Sequence, residues 1–270
     1  STHFQACLES VSGQLKNVSI YCPRQLRHTV TARESLHVNG VRAEQKRNEV
    51  FAFWKSQKKN VILSDENILG ECSDGYGQTR PYADAHERLK RFERLLQDFD
   101  SVRILVVIRE FAEFLPAFYL ESLRWMPRWR PFNALFFGNS KFSWVEVVHQ
   151  IAAAVPQAKI AVVPYDQYQK QLPAMLTFMG LSGAKPDISA SRRVRPSPHL
   201  GALKAYEALS WLSNGRKLNG VFNKLSGYKV LQWGQFDPLS SEEKIVSLNN
   251  YQKDLQALRE AGYLLETRIE

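Results

Sequence analysis

The chain has 270 residues, 44% of them hydrophobic, enough for a sizeable core and too many for general disorder. Its 36 Lys and Arg against 27 Asp and Glu leave a formal net charge of +9, which favours anionic partners: nucleotides, polyanionic sugars, nucleic acid or acidic membrane surfaces. No apolar run reaches the roughly 18–20 residues of a membrane span and no signal peptide is visible, while Cys7, Cys22 and Cys72, odd in number and widely spaced, argue against a zinc site and for a reducing, cytoplasmic compartment.

In chain order, Thr2–Leu15 sets Phe4, Cys7, Leu8, Val11 and Leu15 on one helical face. Asn17–Cys22 reads as a short strand stopped by Pro23; its Asn17-Val18-Ser19 triplet also fits a glycosylation sequon, a pattern common by chance. Polar residues 24–39 read as an exposed loop. Val41–Lys58 returns to helix with Val50, Phe51, Phe53 and Trp54 as its apolar side, and Asn60–Ser64 is strand-like, followed by Asp65-Glu66-Asn67. Residues 70–83 are turn-rich. Asp84 is placed to cap a helix reaching Phe99, with Leu89, Phe92, Leu95, Leu96 and Phe99 inward and Arg88, Lys90, Arg91 and Arg94 on the other face.

The most informative stretch is Ser101–Leu123. Arg103–Ile108 is a β-branched run of strand length, Arg109 stands at its carboxyl end, and a helical pattern follows at once. In open α/β sheets ligands collect outside the carboxyl ends of the strands. Arginine there offers a planar, permanently charged fork suited to phosphate. The competing reading is a surface arginine paired with Glu110 or Glu113. Pro116 inside the following pattern predicts a helix that starts late or bends.

Arg124–Phe142 is a loop rich in Trp, Arg and Phe. Trp125 and Trp129 offer faces for sugars and Arg128 a hold on an anionic acceptor; the alternative is a loop pinning its aromatics into the core. Ser143–Val155 is helix, with His149 in a structural role, and Ala158–Val163 is a second buried strand ended by Pro164. Gln167–Met179 is helix closed by Gly180. Residues 184–198 form a basic connector in which Arg192, Arg193 and Arg195 either bind an anion or sit in solvent. Leu200–Ser213 is helical. The last helix opens on a capping box, Ser240 with Glu243, carries a stripe of Ile245, Leu248, Tyr251, Leu255 and Leu258, and ends at Gly262 as C′ residue. Strands alternating with helices predict one α/β domain over residues 1–270, three-layered around a central parallel sheet.

Four pieces in order carry a resemblance to sulfotransferases that use 3′-phosphoadenylyl sulfate (PAPS), especially bacterial members acting on carbohydrates or small molecules. Ser1-Thr2-His3-Phe4-Gln5 looks like the tail of the family's phosphate loop, and ILSDENILG (Ile62–Gly70) like its second strand with a catalytic residue at the end. VVIREFAEFLPAFY (Val106–Tyr119) is similar to its 3′-phosphate strand and helix, and KIAVVPYDQYQKQLPAMLTFMGL (Lys159–Leu181) to its strand, acidic turn, helix and closing Gly-Leu. More loosely, VRPSPHLGALKAYEAL (Val194–Leu209) resembles a segment opening a helix.

The resemblance implies a P-loop-NTPase-like sulfotransferase fold, and transfer of a sulfuryl group from PAPS to an acceptor hydroxyl, leaving 3′-phosphoadenosine 5′-phosphate (PAP). It makes Glu66 the general base, with Asp65 the lesser candidate, and places Arg109 on the 3′-phosphate. Ser1 and Thr2 fall at the 5′-phosphosulfate, where the alternative is a plain helix cap or frayed terminus. Acceptor contacts fall to Trp125, Arg128 and Trp129. Donor and acceptor are then the partners, the acceptor being a sugar or an anionic molecule, with no metal and no nucleic acid. The family's loop lysine and glycine would lie before Ser1. Its usual serine eight residues after the arginine is Ala117 here. Two rivals remain: a non-catalytic polyanion-binding relative that has lost the donor site, and a nucleotide-dependent kinase of related fold.

Overall fold

In this computed structural model, the described residues are 2–22, 40–65, 67–70, 81–124, 129–135, 142–187, 199–213, 218 and 220–266. The architecture is mixed α/β. Helix α1 (Thr2–Val11) leads to strand β1 (Val18–Tyr21), α2 (Val41–Ser56) to β2 (Asn60–Leu63), and α3 (Ala85–Leu96) to β3 (Val102–Ile108). Then come α4 (Phe111–Ser122), the single turn α5 (Phe132–Leu135), α6 (Trp144–Ala154), β4 (Ala158–Pro164) and, after a 3-10 turn at Tyr165–Gln167, α7 (Tyr168–Phe178). The C-terminal part holds α8 (Leu200–Leu212), α9 (Val221–Gly227), a 3-10 turn at Lys229–Leu231 and α10 (Ser241–Glu260).

The strands form two parallel pairs, β1 with β2 and β3 with β4, where the sequence pattern predicts one central sheet. Val18 faces Asn60 at the start of one pair, and Val102 faces Ala158 at the start of the other. No ladder joins the pairs among the described residues. Parallel strands read as continuous apolar runs because both faces are buried, and here they are. Tyr21, Val61, Leu63, Val106, Ile108 and Val162 point into a core built from α2, α3, α4, α6 and α10. Their alternate neighbours Ile20, Cys22, Ile62, Leu105, Val107 and Val163 face a second core under α1 and α7. The period of two along each strand thus divides one set of residues between two cores.

Several boundaries follow from single residues. Helix α1 stops at Val11, short of Leu15, where Gly13 takes a left-handed φ of 89° in the following turn. Phe53, expected on the inner face of α2, is exposed; the buried line is Arg47, Val50, Phe51 and Trp54, one residue out of step with it. Asp84 is the N-cap of α3 but its side chain makes no capping hydrogen bond. Pro116 neither delays α4 nor ends it, lying buried in its middle. Glu110 starts that helix by accepting the Glu113 backbone N–H at 3.2 Å. The Ser240–Glu243 capping box forms as predicted, and Gly262 after α10 has a φ of 74°.

Candidate functional site

Of the candidate residues, Arg109 stands at the carboxyl end of a strand. It follows β3 directly, and its backbone carbonyl accepts the Trp144 indole N–H at 2.7 Å, which fixes the strand end against α6. Its guanidinium donates to Glu113 one helical turn on at 3.1 Å. The same guanidinium lies over the Tyr165 ring, 4.7 Å from its centre, in the turn after β4. Glu110 is engaged elsewhere: one oxygen caps α4, and the other accepts the Ser247 hydroxyl of α10 at 2.6 Å. Of the two predicted ion partners for Arg109, then, the structure pairs it with Glu113.

A line of aromatic rings runs from Arg109 to the start of α1. Tyr165 stacks on Tyr168 with centres 5.9 Å apart, and Tyr168 meets Phe4 edge-on at 6.4 Å. Beside Phe4, Gln5 reaches the Ser64 carbonyl at the end of β2, with 3.5 Å between heavy atoms. Next in the chain is Asp65, buried, its carboxylate accepting the Asn67 backbone N–H at 3.0 Å in a turn closed on itself. The first turn of α1 and the carboxyl ends of β2, β3 and β4 therefore lie at one edge of the molecule. This is where a parallel α/β architecture holds its ligands.

Of the residues predicted for the donor, Arg109 follows β3, and Thr2 opens α1, the helix whose Phe4 ends the ring path from Arg109. Ser1 and Glu66 fall outside the described residues, as do Trp125, Arg128, Arg192, Arg193 and Arg195. Trp129 is described. It lines a cavity of about 230 Å³ with Tyr119, Phe132, Leu203, Lys204 and Phe236. This cavity stands at the far end of α4 from Arg109, about 15 Å along the helix. Burial pushes the Tyr119 phenol up, so it stays a neutral donor, and its hydroxyl bonds the Arg130 carbonyl at 2.7 Å. Ala117 sits between these two places, half-buried. His149 is exposed on α6 and packs into neither core.

Sequence reading missed the contribution of α10. Tyr251, Leu255 and Leu258 are buried as expected, but Ser247 stands on that face in place of Ile245 and Leu248, which are exposed. The Tyr251 hydroxyl is buried and makes no hydrogen bond among the described residues, while burial and then the carboxylates of Asp166, Glu110 and Glu113 push its pKa up. A serine and a tyrosine four residues apart, one turn after a capping box, were the available signal. Comparison with protein-family models, curated proteins and solved structures finds no match to this chain.

Proposed function

We propose that the chain is a PAPS-dependent sulfotransferase of the P-loop-NTPase-like sulfotransferase fold, moving a sulfuryl group to a hydroxyl of a carbohydrate or small-molecule acceptor. The observation that carries the reading is the ring path Phe4–Tyr168–Tyr165–Arg109. It puts a helix start and a permanent cation at the same edge, and a bis-phosphorylated nucleotide needs both. Arg109 would hold the 3′-phosphate, exchanging its Glu113 carboxylate for phosphate oxygens. Thr2, with Ser1 before it, would offer amide and hydroxyl donors to the 5′-phosphosulfate.

In the transfer, the acceptor oxygen forms a bond to sulfur as the bond from sulfur to the 5′-phosphate oxygen breaks and PAP departs. The acceptor's proton passes to Glu66, three residues after β2 in the sequence, acting as general base. Catalysis by this arrangement is positioning and charge stabilisation, as in phosphoryl transfer. The aromatic cavity beside Trp129 is the candidate acceptor surface.

Calorimetry with PAP, AMP and ATP tests the assignment. PAP should bind at least about tenfold more tightly than AMP, because a charge-assisted hydrogen bond is worth about 1.5–3 kcal/mol. Arg109→Ala should erase that preference while leaving AMP binding little changed. Equal affinity for PAP and AMP overturns the sulfotransferase reading, and salt-sensitive binding of heparin without any nucleotide effect replaces it with a polyanion-binding role.

A further inference from the structure

A surface far from the strand ends carries a different recognition chemistry. On α8, Gly201, Ala205, Ala208 and Leu212 recur at helical spacing and form one stripe. Trp233 covers its first residue. The Gly201 N–H donates to the Trp233 carbonyl at 3.1 Å, and a Cβ on Gly201 would lie 2.5 Å from the indole nitrogen. Leu212 closes the stripe about 16 Å further along. Helix α9 packs on α8 through Phe222 against Tyr206, with ring centres 5.4 Å apart, about 120° around the helix from the stripe.

Large apolar side chains are exposed at both ends of this stripe. Trp211 is 74% exposed, Leu212 79%, Val230 80% and Trp233 52%. A soluble surface seldom carries this many large apolar side chains in one region. The segment that carries them has charge of one sign. Residues 208–236 contain no Asp or Glu, and Lys224 and Lys229, both exposed, lie on α9 and the turn leading to Trp233. Within α8 itself, Lys204 pairs with Glu207 at 3.0 Å at the edge of the strip.

We propose that this face docks the protein onto an anionic membrane surface, with Trp211, Leu212, Val230 and Trp233 entering the headgroup boundary and Lys224 and Lys229 pairing with lipid phosphates. Tryptophan prefers the interface because its ring is apolar and its N–H polar. Basic residues near such a surface strengthen the attraction to anionic lipid. Shallow insertion of this kind needs no spanning segment. A second copy fits less well, since a two-fold interface would bring the exposed Lys224 and Lys229 of one copy towards those of the other.

The test is co-sedimentation of the full chain with phosphatidylcholine vesicles, with and without phosphatidylserine, at low and high salt. Binding should require phosphatidylserine, weaken with salt, and fall at least about tenfold in Lys224→Glu/Lys229→Glu. Trp211→Glu/Leu212→Glu should lose binding with an unchanged far-UV spectrum. Quenching of tryptophan fluorescence by brominated lipid, lost in Trp211→Phe/Trp233→Phe, reads insertion directly and does not depend on the charge variants. Absence of binding to phosphatidylserine vesicles at low salt overturns the proposal, as does binding that both double variants leave intact. A concentration-dependent dimer that Trp211→Glu dissolves, without vesicle binding, reassigns the face to self-association.

Discussion

Arg109 is held by two groups of different kinds, the Glu113 carboxylate and the Tyr165 ring. Both partners of the ion pair reach solvent, so the pair adds well under about 1 kcal/mol to stability. Its larger effect is competition, because Glu113 occupies the donors that a phosphate would need. Glu113→Gln keeps the helix former and removes the charge. PAP should then bind several-fold more tightly while the melting temperature stays within a degree or two; a loss of affinity would mean that Glu113 orients Arg109 for the ligand. The sequence offered Arg109 with both of its carboxylate neighbours. It could not choose between Glu110 and Glu113, because the choice depends on Ser247, more than a hundred residues away, engaging Glu110. Trp129 was legible as a residue type suited to the proposed acceptor contact, and it lines the cavity at the far end of α4.

At the scale of elements, most strands and helices were readable because period two and period 3.6 seldom compete within one segment. Where it fell short was the first half of the α10 stripe, since Tyr251, Leu255 and Leu258 are buried as expected. The pattern of Ile245 and Leu248 pointed one way, yet those residues are exposed and Ser247 is buried. The polar side chain wins because it finds a carboxylate where α10 crosses the start of α4. A second polar joint lies further along the same helix. Asp254 accepts the Trp144 backbone N–H at 2.6 Å and the Ser143 hydroxyl at 3.0 Å, so an α10 side chain also caps α6. Burial pushes the Asp254 carboxyl above its ordinary value, outweighing these hydrogen bonds, which act the other way. The folded state therefore prefers the protonated acid more than the unfolded chain does. Its stabilising contribution is complete below the unfolded pKa and is lost as pH rises through the higher folded value. Thermal unfolding between pH 3 and 7 should show this acid-side increment in the parent and not in Asp254→Asn. Asp254→Ala should cost about 2–4 kcal/mol at neutral pH, since it strands two donors at a half-buried joint.

At the scale of the whole molecule, alternating strands and helices were enough to predict a parallel α/β architecture with helices on both strand faces. They were not enough to predict two separate pairs, because sheet continuity depends on which edges meet, and periodicity carries no information about edges. The two pairs are held unequally. The β4 backbone bonds β3 on one side and, through Val162, the chain at Tyr263 and Leu265 on the other. Its inward residue Val162 is fully buried in the larger core. The β1–β2 pair is four residues long and contributes Ile20, Cys22 and Ile62 to the smaller core under α1 and α7. Local opening draws on the least supported unit first. Hydrogen exchange should accordingly separate the two: amides of Val18–Tyr21 and Asn60–Leu63 should exchange at least about tenfold faster than those of Ile104–Ile108 and Ile160–Val163, a difference of about 1.4 kcal/mol in opening. Equal protection would mean that the two cores open as one unit and that the shared residues along β3 and β4 bind them together. A ligand bridging the first turn of α1 and Arg109 would touch both units at once. PAP should therefore slow exchange in β1 and β2 more than in β4, which links the stability of the weaker pair to occupancy of the strand-end edge.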